Sequence, residues 1–237
     1  MFDPAPLLAR LPDVPDRVWA RGALLDAGAS AIEWSDGRSA LLNDDGEACI
    51  VGRPPRPQLL AFLERLAPGT EVVLSLEDAR ALGPVPGWGE EVAVVHVQHD
   101  PPPTPPVIRG TARVLEADEP LNLGHLPDDL ARELTHARAS SPLGVAFTEE
   151  GLSVAFSYAG STTETWWDVS IDTVEAWRRQ GYASAAAHVL IESMRARGKR
   201  AVWAAFESNT ASLQLAARLG FTPVARVVSL FREGSER

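Results

Sequence analysis

The sequence predicts a mixed α/β chain, and three observations carry that prediction. An apolar strand near residues 169–173 enters a glycine-bearing loop, an uninterrupted helix and a second strand. The first hundred residues repeat that order more faintly. Five prolines within residues 101–106 separate the halves.

In the first half, Ala31-Ile32-Glu33-Trp34, residues 39–43 and residues 48–51 read as short strands. Residues 58–66 read as a helix and 71–76 as another strand. Residues 92–98 are strand-like and could pair with the second half. Between strand and helix lies Gly52-Arg53-Pro54-Pro55-Arg56-Pro57, in which three of six positions lack a backbone N–H. This half is expected to be a small α+β lobe over residues 1–100. The proline run 101–106 favours an extended, semi-rigid linker, and residues 107–237 form the second unit. The alternative is one continuous unit with the proline run crossing its surface.

The second half carries the chemistry. Arg178-Arg179-Gln180-Gly181-Tyr182-Ala183 lies where the strand ends and the helix opens. Backbone N–H groups in a first helical turn have no partner within the helix and sit at the positive end of its dipole. They make a natural seat for a diphosphate. Gly181 lets the backbone approach a ligand, and the two arginines add charge where phosphates would lie. Residues 184–197 hold no glycine or proline, with Ala187, Leu190, Ile191 and Met194 at helical spacing. Residues 201–206 read as the next strand, with Trp203 in the core. Ser208 or Asn209 then caps a short helix that ends at Gly220. Trp166 and Trp167 put one indole on each face of the preceding strand.

In this order, the loop, Asn209-x-x-Ser212 and Leu219-Gly220-Phe221 resemble the GNAT acyltransferases. More narrowly, Gly144-Val145-Ala146-Phe147, residues 168–173 and Val202-Trp203 resemble the zwittermicin A resistance-type branch. The similarity covers roughly residues 107–232. It implies a GNAT fold in the C-terminal half, beside an N-terminal lobe that is either a degenerate copy or an unrelated α+β unit. It also implies acetyl-CoA as acyl donor. Backbone groups of Ile171, Asp172 and Thr173 would hold the pantetheine arm, with Asn209 on its other side. N–H groups from Arg178 through Arg179, Gln180, Gly181, Tyr182 and Ala183 to Ser184 would hold the diphosphate.

The implied reaction is direct transfer of an acetyl group to an amine, which must first lose a proton. Asp168, Asp172 and Glu164 are the candidate bases, Asp168 first; their alternative is as solvated strand carboxylates. Many relatives protonate the leaving thiolate from a tyrosine seven residues after the asparagine, but that position here is Ala216. Ser212, one turn after Asn209, is the expected substitute; its alternative is a local backbone bond. Tyr182 is expected to pack or to touch the ligand, in preference to donating a proton. His188 is expected to be a structural histidine, and no histidine has metal-ligand spacing.

Composition bounds the partners. A formal net charge of −10 argues against non-specific nucleic-acid binding and favours a cationic acceptor. One cysteine, Cys49, fits a reducing compartment. Met1-Phe2-Asp3-Pro4 lacks the pattern of a secretion signal, and no apolar run is long enough for a bilayer, so a cytoplasmic location is expected, as monomer or homodimer. The reading is an N-acetyltransferase acting on a small cationic amine. Acetylation of a protein N-terminus or lysine, and non-catalytic acyl-CoA binding, remain as alternatives.

Overall fold

The computed structural model describes residues 4–26, 31–34, 40–44, 47–116 and 118–232. Residue 39, the expected start of a strand, and residues 1–3 of the N-terminal reading lie outside them. In chain order the first half holds α1 (Ala5–Leu8), a 3-10 turn (Pro15–Arg17), α2 (Val18–Leu25), β1 (Ala31–Trp34), β2 (Ala40–Asp44), β3 (Glu47–Val51), α3 (Arg56–Arg65), β4 (Glu71–Ser75), α4 (Leu76–Leu82) and β5 (Trp88–Gln98). The second half holds β6 (Gly110–Leu115), α5 (Asp128–Ser140), β7 (Leu143–Thr148), β8 (Ser153–Thr162), β9 (Trp166–Thr173), a 3-10 turn (Glu175–Trp177), α6 (Tyr182–Ala196), β10 (Arg200–Phe206), α7 (Thr210–Arg218) and β11 (Phe221–Arg232).

Among the described residues, all the strands join one eleven-stranded sheet, ordered β1-β2-β3-β4-β11-β5-β10-β9-β8-β7-β6. The sheet does not break at the proline run. β5, from the first half, lies antiparallel between β10 and β11, pairing Ala93–Val97 with Phe206–Val202. β11, from the second half, lies between β5 and β4. Each half thus lodges its last long strand inside the other. The pairing of β5 with β10 is the one allowed for residues 92–98 in the sequence. Pro223 sits in this central strand because the register shifts between Pro223 and Ala225, where a ladder bond is not needed.

Alternation along the strands sorts side chains to two faces. Val202 and Trp166 pack with Val18, Trp19, Val73 and Val95 beneath α2. Trp203 and Trp167 point the other way, into the core under α6 and α7 with Leu190, Ile191, Leu219 and Phe221. Ala187, Leu190, Ile191 and Met194 are all buried there, as their spacing requires. Gly144 in β7 lets α6 approach closely, since a Cβ at that position would lie 2.2 Å from the Ala186 carbonyl oxygen.

The helix α2 is tied to the second half, although Arg21 and its partner Glu164 lie 143 residues apart. Arg21 makes a two-pronged ion pair with Glu164, at 2.7 Å from Nε and 2.6 Å from Nη2. It also donates to the carbonyls of Leu8 and Leu11. Asp13 accepts from Thr163 Oγ1 and Thr165 N, and its carbonyl accepts from Trp166 Nε1. These bonds pin α2 across the β8–β9 hairpin.

Candidate active site

β9 and β10 are parallel neighbours for only three residue pairs: Trp166 with Arg200, Trp167 with Ala201, and Asp168 with Val202. Beyond Asp168 the two strands part, β9 continuing beside β8 and β10 beside β5. The β10-facing backbone of Ile171, Asp172 and Thr173 therefore has no strand partner among the described residues. The cleft so opened measures about 280 Å3 and is lined by Tyr158, Asp168, Ile171, Asp172, Trp203 and Ser212.

The loop at the end of β9 delivers the donors. Gly181 stands at the N-cap of α6 with φ +89°, and Arg179 has φ +61°. The first-turn N–H groups of Tyr182, Ala183 and Ser184 have no carbonyl partner among the described residues, as at any helix start. The Arg178 N–H is taken by the Glu175 carbonyl and its Nε by the Thr173 carbonyl. Arg178 and Arg179 are exposed beside the loop, and Gln180 bonds back to the Ala176 carbonyl. Pro106 and Ile108 pack against Gly181, 3.3 and 3.2 Å from where a Cβ would stand. The end of the proline run is therefore part of this loop's wall. Tyr182 is buried, donates to the Arg109 carbonyl at 2.6 Å and meets Trp177 edge-on, a packing role.

Asp168 stands where the strand pairing stops. It lines the cleft and also a second cavity of about 310 Å3, whose other walls include Trp19, Glu47, Glu71, Phe206 and Ser229. Burial pushes its carboxyl up to about 7, against the opposing hydrogen bond from Trp19, and the nearby Glu71 charge adds to the rise. Trp19 Nε1 donates to Asp168 Oδ2 at 3.2 Å. A carboxyl in this range can take a proton near neutral pH.

Ser212 also lines both spaces. Asn209 caps α7 by accepting the Ser212 N–H at 3.1 Å, so the cap expected at Ser208 or Asn209 falls to Asn209. The Ser212 hydroxyl accepts from Trp203 Nε1 at 2.9 Å. An indole N–H can only donate, so the serine keeps its own O–H for another acceptor. Ala216 is fully buried in the α7 core.

Two carboxylates named with Asp168 have other roles. Glu164 is half-exposed and held by Arg21, which keeps its carboxyl below the ordinary range. Asp172 shares the Asp168 face but meets the Tyr158 hydroxyl at 2.6 Å, and that hydroxyl lies 2.6 Å from Glu133 as well. Burial and these two carboxylates hold the Tyr158 phenol well above its usual value. Trp19, Glu47, Glu71 and Tyr158 were not legible as site residues, because nothing in local spacing links them to the loop. His188 is half-buried in α6, away from both spaces.

Residues 137–227, which contain the splayed strands, the loop and α7, match the family model described as GNAT acetyltransferase. Over this segment the chain is similar to that family. The fold of the whole chain agrees. A GCN5-related N-acetyltransferase-like protein from Streptococcus suis superposes with a TM-score of 0.68 at 19% identity, over 96% of this chain and 98% of that one. A GNAT-family protein from Novosphingobium aromaticivorans gives 0.61 at 18% identity, over 96% and 99%. A tandem GNAT protein from the clavulanic acid biosynthesis pathway gives 0.56 at 17% identity, over 99% and 96%. No curated protein matches the sequence. The family match and these neighbours support a transferase, and no described helix is long and apolar enough to cross a membrane.

Proposed function

We propose that the protein is an acetyl-CoA-dependent N-acetyltransferase that acetylates a primary amine of a cationic small molecule by direct transfer in a ternary complex. The observation that carries this reading is the place of Asp168, at the point where β9 and β10 part, in the wall shared by the cleft and the second cavity. Donor and acceptor can meet there from opposite sides of one carboxylate.

The residues present fit acetyl-CoA. The edge of β9 over Ile171, Asp172 and Thr173 that faces away from β8 has no strand partner among the described residues, which suits the amides of a pantetheine arm. The α6 N-terminus and the arginines beside Gly181 suit a diphosphate. Bound there, acetyl-CoA supplies the activated acetyl thioester. Asp168 takes a proton from the acceptor nitrogen, which frees its lone pair for attack on the thioester carbonyl. The Ser212 O–H hydrogen-bonds the departing sulfur as the C–S bond breaks, in place of the tyrosine that Ala216 precludes. The nitrogen's second proton would pass through solvent to the thiolate, which leaves as the CoA thiol.

Acceptor charge follows from the balance of the chain. Its formal net charge of −10 makes a field that draws in a cation, which supports an acceptor with a positive charge. Glu47 and Glu71 are register partners on β3 and β4 and both line the second cavity, where Ser229 donates to Glu71. The narrower likeness to the zwittermicin A resistance-type branch is the reason to include amino-bearing antibiotics among the acceptors tested.

The test is thermal unfolding with and without acetyl-CoA, followed by an amine screen that reads free thiol. At about 100 times its dissociation constant the ligand should add about 2.7 kcal/mol, a shift of several degrees. No shift at millimolar acetyl-CoA would remove the donor assignment. A shift with no thiol release from any cationic amine would leave a binding protein in place of an enzyme.

A further inference from the structure

Trp19 belongs to the N-terminal lobe, 149 residues before Asp168, yet its indole is the hydrogen-bond donor to that carboxylate. The contact is held by construction. α2 lies across β8 with Gly22 against Ser161, whose hydroxyl bonds to the Val18 carbonyl at 3.2 Å. A Cβ at Gly22 would stand 2.0 Å from the Ser161 Oγ. The residue before it, Arg21, grips Glu164 in the turn of the same hairpin. Asp13 fastens the start of the segment to Thr163, Thr165 and Trp166. The indole itself is largely buried among Cys49, Val73 and Val202.

We infer that Trp19 is a positioning residue for the transfer reaction: its N–H holds Asp168 Oδ2 and leaves Oδ1 to meet the acceptor amine. The N-terminal lobe is then a working part of the site. This inference rests on the reading of Asp168 as the base. Geometry also gives Trp19 a second place in the site. It lines the second cavity and also a larger one of about 500 Å3, and Glu47 lines both.

The groups that face Asp168 make the consequence signed. Trp19 approaches from α2, Glu71 from β4, Glu47 from β3 across the cavity, and Ser212 from α7; Asp172 shares its face on β9. Among these side chains it is the Trp19 N–H that favours the ionised form, with the Val169 backbone N–H as a lesser aid, against burial and Glu71. Losing the Trp19 N–H should therefore raise the pH at which Asp168 ionises.

The experiment compares wild type with Trp19→Phe in two readouts: the Asp168 carboxyl carbon followed by NMR titration, and the acid limb of kcat/KM for acetylation of the best amine from the screen. The expected result is an upward shift of both by about one pH unit, the size set by one hydrogen bond to a carboxylate. If neither moves, Trp19 is packing only and the inference fails. If the carboxyl moves but the rate profile does not, Trp19 does hold Asp168, and the assignment of Asp168 as base fails instead. Without a turnover assay the titration decides alone. Should Trp19→Phe not fold, benzothienylalanine at position 19 keeps the shape and lacks the N–H, and the same titration applies.

Discussion

Two strand–helix–strand units in this chain look alike and do different things. In the first, β3 and β4 stay paired from Glu47 with Glu71 to Ile50 with Leu74, one residue short of both ends. In the second, β9 and β10 separate after Asp168 and Val202, with five residues of β9 still to run. The loops differ in the same sense. α3 begins after Pro55 and has Pro57 in its first turn, while Arg56 is spent on the carbonyls of Leu82 and Pro84. α6 begins at a left-handed glycine with its first N–H groups open. Proline starts a helix well but offers no donor. A cleft for a thioester cofactor is therefore a property of strand divergence and free N–H groups, and the shared frame does not confer it.

The largest expected effect falls on the divergence point. Asp168→Asn should lower kcat/KM by about 10²–10⁴-fold, the range for loss of a general base. In the wild type, activity should fall as pH drops below about 7, where the carboxyl is protonated. The stability sign is opposite. A folded-state value raised above the unfolded one means the native state binds the extra proton between about 4 and 7, so this group's contribution falls as pH rises through that window. Asp168→Asn should therefore melt higher than wild type at pH 8 while being inactive, read by calorimetry beside the assay. Equal melting at pH 8 would deny that the buried charge costs stability.

Next comes the seat of α6. Gly144→Ala drives a Cβ into the Ala186 carbonyl oxygen. It should cost about 1–3 kcal/mol in urea unfolding by overpacking, and weaken acetyl-CoA binding because the α6 N-terminus shifts with the helix. Retained stability and affinity would show that α6 can slide without disturbing the loop.

Ser212→Ala should slow the chemical step by more than tenfold in single-turnover measurements. A rate within twofold of wild type would return the serine to its bond with Trp203. The smallest effect is expected in the first unit: Pro57→Ala restores an N–H at the α3 start, yet should add no second acetyl-CoA site by calorimetric titration and change stability by less than about 1 kcal/mol. A second binding event would mean that only proline separates the two units.

Much of the C-terminal half was legible because its signals are local. The spacing of Ala187, Leu190, Ile191 and Met194 describes a helix face, and Gly181 marks the helix entry. Trp203 reads as core, and Asn209 as a cap. Alternation also placed Asp168 and Asp172 opposite Val169 and Ile171. Glu164 stood behind Asp168 among the candidate bases and is held by Arg21, a partner that no local pattern reveals. The proline run read as a spacer, yet its end packs on Gly181.

The sequence by itself determined α3, α6 and α7, the strands β1 to β5, β9 and β10, and the glycine at the α6 entry, since each rests on residues within a few positions of one another. Tertiary structure alone decided that β5 and β11 change places between the halves. It alone brought Trp19, Glu47 and Glu71 to Asp168. Those contacts join residues about a hundred or more positions apart, and their partners are chosen by which faces must be buried together when the sheet closes. Backbone periodicity records which face a side chain takes, but not what will lie against it.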